Sequence, residues 1–196
     1  MYFTKPELSK LYLKSKKSSF EIAKFFDCSE NRINYWLSKY NIKKRSISEA
    51  VYNKHNPNGD PFRIVNPNTI KGNKLLGLGL GLYWGEGTKS NKTSIRLGNT
   101  DPRLISKFIE FLVKICSIDK KKLKFGLQVF SDISASSALG FWSKSLNVPK
   151  SSFQKVIITP SRGIGTYKFK NKYGVLTVQY HNKKLRDIIC NMVGDL

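Results

Sequence analysis

Apolar residues recur at helical intervals through the first forty positions, lose their period in the fifties and sixties, and return as one glycine-rich apolar segment followed by alternating strands and helices. Thr4-Lys5-Pro6-Glu7 reads as a helix start, with a threonine cap, Glu three positions on and proline in the first turn. Leu8, Leu11, Tyr12 and Leu13 follow at helical spacing. A second start at Ser18 leads into Phe20, Ile22, Ala23, Phe25 and Phe26, ending at Asp27-Cys28. A third at Ser29 carries Ile33, Trp36, Leu37 and Tyr40 on one face. Asn53 to Gly72 hold Asn56-Pro57-Asn58-Gly59-Asp60-Pro61 and Asn66-Pro67-Asn68, turn formers without periodicity, and mark a domain boundary. Three segments result: 1–50, a linker over 51–72, and 73–196.

The third segment opens on Lys74-Leu75-Leu76-Gly77-Leu78-Gly79-Leu80-Gly81-Leu82-Tyr83-Trp84-Gly85-Glu86-Gly87. Each glycine inside a helix costs about 1 kcal/mol relative to alanine, so several together need a reason. Gly77, Gly81 and Gly85, spaced by four, line one face where a second backbone can approach, as in small-xxx-small pairs. Gly87 ends the helix and leaves Glu86 at its C-terminal tip, where the helix dipole disfavours an anion and a cation or metal would compensate. Strands are expected at 93–97, 123–131, 153–158 and 175–180. Helices are expected after Asn99-Thr100-Asp101-Pro102 and over 136–146 and 182–192. The class is α+β, with a four-stranded antiparallel or mixed sheet and helices on one face, preceded by an all-α unit.

Charge then narrows the partner. The chain carries 35 Lys and Arg against 13 Asp and Glu, a formal +22, with +8 in residues 1–72 and +14 in 73–196. An excess of that size, spread over both parts, points to a polyanion and puts nucleic acid before membrane or small-molecule substrates. The longest apolar stretch, Leu75 to Trp84, is too short to cross a bilayer, and the N-terminus has no signal-like region. Cys28, Cys116 and Cys190 are odd in number and scattered, which suits a reducing intracellular compartment, cytoplasmic and nucleoid-associated in a prokaryote. His55 and His181 lack metal-ligand spacing, so zinc-dependent and HNH-type nucleases are disfavoured.

Three short helices with a tight turn between the second and third are the layout of a helix-turn-helix unit, and Lys17 to Leu37 resembles such domains of resolvases and homing-endonuclease accessory modules. On that resemblance Glu30, Asn31, Arg32, Asn34 and Tyr35 face the major groove; otherwise they are the solvated side of a helix. The run Ile42-Lys43-Lys44-Arg45-Ser46 is either a basic arm, with Lys43, Lys44 and Arg45 on phosphates or in a minor groove, or simply a solvated stretch.

The segment Gly79 to Gly87 resembles the motif of the LAGLIDADG homing endonucleases, and the resemblance extends over about 120 residues. Gly81 and Gly85 match the small packing residues, Glu86 the metal-binding acid and Gly87 the terminal glycine; Trp84 replaces the motif's earlier Asp, a cap rather than a ligand. The resemblance implies a saddle-shaped sheet in the major groove of double-stranded DNA. It also implies a homodimer through Gly77, Gly81 and Gly85, since one motif supplies one acid and a duplex has two strands. Glu86 would hold Mg²⁺ or another divalent cation. Base readers would come from Arg96, Lys124, Gln128, Lys155 and Gln179, and phosphate contacts from Arg162, Lys168 and Lys170 in the basic loop 161–172. Lys183 would stabilise charge at the scissile phosphate or merely start an exposed helix. Lys120-Lys121-Lys122 is phosphate-facing or solvated. The implied activity is sequence-specific, metal-dependent cleavage of double-stranded DNA of the homing type; the alternatives are a non-cleaving DNA-binding regulator on the same fold and, more remotely, an RNA maturase.

Overall fold

The computed structural model describes residues 2–161 and 172–194. The chain divides into two compact units, Met1–Pro61 and Phe62–Leu196, each around its own buried cluster.

In the first unit, α1 (Lys5–Ser9) is opened by a capping box between Thr4 and Glu7 and runs into a π-type turn, Lys10–Lys14. A second box, Ser18 with Glu21, opens α2 (Ser19–Phe25), and Ser29 caps α3 (Glu30–Lys39). Leu8, Tyr12, Ile22, Ile33, Trp36 and Leu37 are buried together. Leu13, Phe20 and Phe25, apolar in sequence, are more than half exposed. A two-turn helix such as α2 can bury only one face, occupied by Ile22 and Ala23, and the Lys17 ammonium stands over the Phe25 ring. Between α2 and α3, Asp27 adopts a left-handed conformation (φ 50°), which aspartate tolerates better than most residues.

The structure corrects the sequence reading beyond residue 42. Ser46 and Glu49 form a third capping box and open a fourth helix, α4 (Ile47–His55), none of whose residues is buried. The stretch read as a linker over 51–72 is therefore helical at its start, and its end belongs to the second unit. Phe62 is buried, and the Arg63 and Val65 N–H groups donate to the Cys116 and Ile115 carbonyls at 3.1 and 2.8 Å.

The second unit starts with α5 (Ile70–Glu86), capped by Thr69 and beginning three residues ahead of the expected Asn73. Then come β1 (Ile95–Asn99), α6 (Pro102–Lys114), β2 (Lys124–Phe130), α7 (Ala135–Leu146), β3 (Ile157–Thr159), β4 (Val175–Tyr180) and α8 (Lys183–Gly194). The strands form a mixed sheet in the order β1-β4-β2-β3: β4 runs antiparallel to both β1 and β2, and β3 parallel to β2. The class is α+β.

Strand β3 is shorter than expected. Phe153 pairs with Phe125 and Ile157 with Gln128, so four steps on one side face three on the other, a bulge that leaves Gln154 to Val156 outside the ladder.

Alternation along the strands separates two faces. Ile95, Leu97, Phe125, Leu127, Leu176 and Val178 are buried beneath helices that contribute Ile105, Phe108, Phe111, Trp142, Leu185 and Ile189 to the same core, each side chain contributing about 1.5–3 kcal/mol by leaving water. Helix α5 lies close to α6 because Gly79 has no side chain: a Cβ there would stand 2.1 Å from the Phe111 ring. No described helix is long and apolar enough to cross a membrane.

Candidate nucleic-acid interface

The register puts the residues of the other sheet face in rows. Arg96, Gln179 and Lys124 stand side by side across β1, β4 and β2. Gly98, Thr177 and Gly126 form the next row, and Val175, Gln128 and Ile157 the third. Four of the residues expected to read bases thus share the face turned away from the core. Arg96 is half-buried and its Nε donates to the Ser94 hydroxyl at 3.0 Å, which fixes the guanidinium plane while its Nη groups stay unbonded among the described residues. Gln179 is buried between its neighbours in the row. Lys124 is exposed. The Gln128 amide donates to the Thr159 hydroxyl at 2.9 Å, which sets its orientation and leaves a second N–H and the carbonyl oxygen. Lys155 is exposed within the bulge, off the regular rows.

The acids of this unit lie elsewhere. Asp101 caps α6 and pairs with Arg103, Glu110 pairs with Lys107 and Lys114, and Asp187 pairs with Lys183 and Arg186. Hydrogen bonds from these cations hold all three carboxyls below the usual range. Asp119 caps the turn Lys120–Lys122, and Asp132 lies past the end of β2. No described strand carries an acid. With Arg96 and Lys124 on it, the open face is cationic.

Glu86 sits at the rim of that face. It is the last residue of α5 and exposed; Gly87 bridges to Leu97, and the Thr88 N–H donates to the Arg96 carbonyl at 2.9 Å. The C-terminus of α5 is therefore tied to the middle of β1, between the Arg96 and Gly98 rows. Among the described residues the Glu86 carboxylate has no hydrogen bond or ion pair, unlike Asp101, Glu110 and Asp187.

The glycines of α5 fall on two sides. Gly79 is wedged against Phe111, whereas Cβ atoms built at Gly77, Gly81 and Gly85 would meet nothing within 4 Å. Those three positions are exposed and share their face with Ile70, Leu78 and Trp84, which are 76%, 45% and 60% exposed. Behind them, a cleft between α5 and α8 is lined by Tyr83, Trp84, Lys89 and Cys190. Burial, with the Cys190 thiol beside it, pushes the Tyr83 phenol up to about 12 against the opposing Arg186 guanidinium, and among the described residues neither the hydroxyl nor the Arg186 Nε makes a well-aligned hydrogen bond.

In the first unit, α3 carries Glu30, Asn31, Arg32, Asn34 and Tyr35 in its first two turns, Asn34 half-buried and the others exposed. Glu30 accepts from the Ser19 hydroxyl at 2.6 Å, which ties the start of α3 to α2. Lys43 and Lys44 are exposed.

Arg45 is not part of an extended arm. Its guanidinium donates to the carbonyls of Tyr12 and Lys16 at 2.8 Å and of Lys17, lies 4.1 Å from the Tyr12 ring centroid, and so is committed to holding the chain after α1. Lys120 is similarly committed, donating to the Leu146 and Asn147 carbonyls at the C-terminal end of α7. Lys183 begins α8 and pairs with Asp187 one turn on. Arg162, Lys168 and Lys170 lie outside the described residues.

Sequence reasoning missed Thr177, Gln154 and the glycines Gly98 and Gly126. The alternation of 175–180 could have marked Thr177 as outward, but only strand pairing sets it between two glycines. Compared with protein-family models, curated proteins and solved structures, the chain matches none.

Proposed function

We propose that two copies of this chain bind double-stranded DNA and hydrolyse it with a divalent cation held by Glu86, in the manner of the LAGLIDADG endonucleases that Gly79 to Gly87 resembles. The observation that carries the proposal is the convergence at one rim: an exposed carboxylate, unpaired among the described residues, tied through Gly87 and Thr88 to the strand that presents Arg96. The open sheet face, cationic and rich in amides, suits a major groove, where Arg and Lys recognise guanine and Gln recognises adenine. The helix-turn-helix unit adds α3 as a second reading element, with its N-terminal residues toward base edges.

The exposed glycine stripe of α5 supplies the contact with the second copy. Four-residue spacing lets two helix backbones approach, and Leu78 and Trp84 flank the seam with apolar area. Two copies bring two carboxylates, one for each strand of the duplex.

Among the described residues no group of three His, Cys, Asp or Glu forms a complete cage. Mg²⁺ is usually held by one or two carboxylates, with phosphate oxygens and waters completing the shell, so a single exposed Glu86 from each copy fits that donor set. When bound, the cation polarises the scissile phosphate and lowers the pKa of a water. The chain's own work is positional: Arg96 and Lys124 fix the duplex over the sheet, and Glu86 holds its carboxylate where the phosphate passes the rim.

One observation favours a second reading, a DNA-binding regulator that does not cut: Trp84, where the motif carries an acid, is exposed beside the stripe. Incubating duplex DNA selected by the protein with Mg²⁺, wild type against Glu86→Gln, separates the two. Cutting by the wild type and binding without cutting by the variant is the expected result. Binding without cutting by both leaves only the regulator, and cutting by both removes Glu86 from the chemistry.

A further inference from the structure

The first three rows of the open face differ in chemistry, and α5 meets the sheet beside the first two. Gly87 bridges to Leu97 and the Thr88 N–H donates to the Arg96 carbonyl, so the C-terminus of α5 lies between the row Arg96–Gln179–Lys124 and the row after it. Next comes Gly98–Thr177–Gly126, where two of three positions have no side chain and Thr177 is short. Beyond it lies Val175–Gln128–Ile157, an amide flanked by two aliphatic residues, Ile157 being 60% exposed, and after it the pair Phe130–Thr159. The Gln128 amide is already oriented by Thr159. Rows lie two residues apart, so the first and third are separated by about 13 Å along the strands, about four base-pair steps at 3.4 Å each.

We infer that each half-site is read at two places separated by a tolerant gap: a guanine-containing pair on the inner side, by Arg96 and Lys124, and an A·T pair on the outer side, by Val175, Gln128 and Ile157. Guanine offers two acceptors, N7 and O6, which suit a guanidinium or ammonium. An A·T pair offers adenine N7 and N6 beside the thymine methyl, and the outer row sets an amide beside aliphatic groups in the same way. The middle row itself brings only the short Thr177; the space over Gly126 holds the Gln179 and Gln154 amides, 3.2 and 3.5 Å from where a Cβ would stand, and these neutral groups donate and accept without preferring one base pair. The inference rests on the proposed DNA-binding function, with the α5 pair at the centre of the site and the Arg96 row nearer that centre than the Val175 row.

The test is selection of binding sites from a randomised duplex pool by the full chain and by two variants, Arg96→Ala and the double variant Val175→Ser with Ile157→Ser. For the wild type the expected site is a palindrome with guanine inside, weak preference over the following two or three pairs, and A·T outside. Arg96→Ala should lose only the inner preference, by about 5- to 150-fold, and the double variant only the outer one. A reversed order, a strong preference within the gap, or preferences unmoved by the substitutions overturns the inference while leaving DNA binding intact. Failure of the wild type to retain any duplex overturns the proposed function itself.

Discussion

The two faces of α5 use the same residue to opposite ends. On one side Gly79 is required by what already touches it, the Phe111 ring; on the other, Gly77, Gly81 and Gly85 leave a bare stripe that nothing within 4 Å fills. The sheet repeats the contrast, with a packed apolar face and an open face carrying Arg96, Lys124 and glycines. In both elements one face is accounted for by the fold alone, and the other has chemistry that the fold does not use. The functional reading is built on the second kind of face.

The largest expected effect tests that division directly. Gly79→Ala places a methyl into the Phe111 ring and should destabilise the second unit by about 3 kcal/mol, the upper end for overpacking. Gly81→Ala should leave the fold unchanged or gain up to about 1 kcal/mol from helix propensity. Denaturant midpoints of the full-length variants measure both, and equal losses would erase the distinction between the faces.

Arginine offers the same contrast. Arg45 is committed to three carbonyls and Arg96 is not. Arg45→Ala should cost the helical unit about 2 kcal/mol, within the range for hydrogen bonds to a charged group, and lysine, without the planar fork, should not restore it. Arg96→Ala should leave the thermal midpoint alone and weaken DNA binding, and a decrease of about one in the slope of log affinity against log salt would show that it also neutralises a phosphate.

Smaller effects sharpen the picture of the packed side. Tyr83→Phe removes a buried hydroxyl that faces Cys190 and Arg186 without a well-aligned hydrogen bond among the described residues, so the variant should stay within about 1 kcal/mol of the wild type, read from the same denaturation curves. The capping boxes carry a weak pH dependence. Glu7 is held below the usual carboxylate range by hydrogen bonds from the Thr4 side chain and backbone, and Glu21 and Glu49 by those of Ser18 and Ser46, backbone first. A depressed carboxyl contributes stability above its unfolded value, about 4.3, and loses it as pH falls through the folded value. Helical circular dichroism melts of the full chain should therefore be level from pH 8 to 6 and shift to lower temperature by pH 3.

Much of the local structure was legible in the residues. Thr4, Ser18 and Ser29 marked three helix starts, and alternation placed β4 at its observed bounds. Ser46 with Glu49 carried an equally readable signal for α4, but the basic run beside it drew the reading toward an extended arm. What local pattern could not supply was partnership. Gly79 and Gly81 are equivalent until α6 is known to bring Phe111 against one of them. Arg45 and Lys44 are adjacent cations until the carbonyls after α1 are found around one. The rows of the open face follow from pairings between strands up to 85 residues apart, such as Ile95 with Tyr180. The bulge after Phe153 shifts one edge by a residue that no period announces.

The central claim is that the bare face of α5 is where two copies meet. Sedimentation velocity of the full chain, wild type against Gly81→Leu, tests it most directly, with circular dichroism confirming that both are folded. A dimer for the wild type and a monomer for the variant, with unchanged helix content, is the expected result. A monomeric wild type, alone and on selected duplex DNA, or a variant that still dimerises would contradict it.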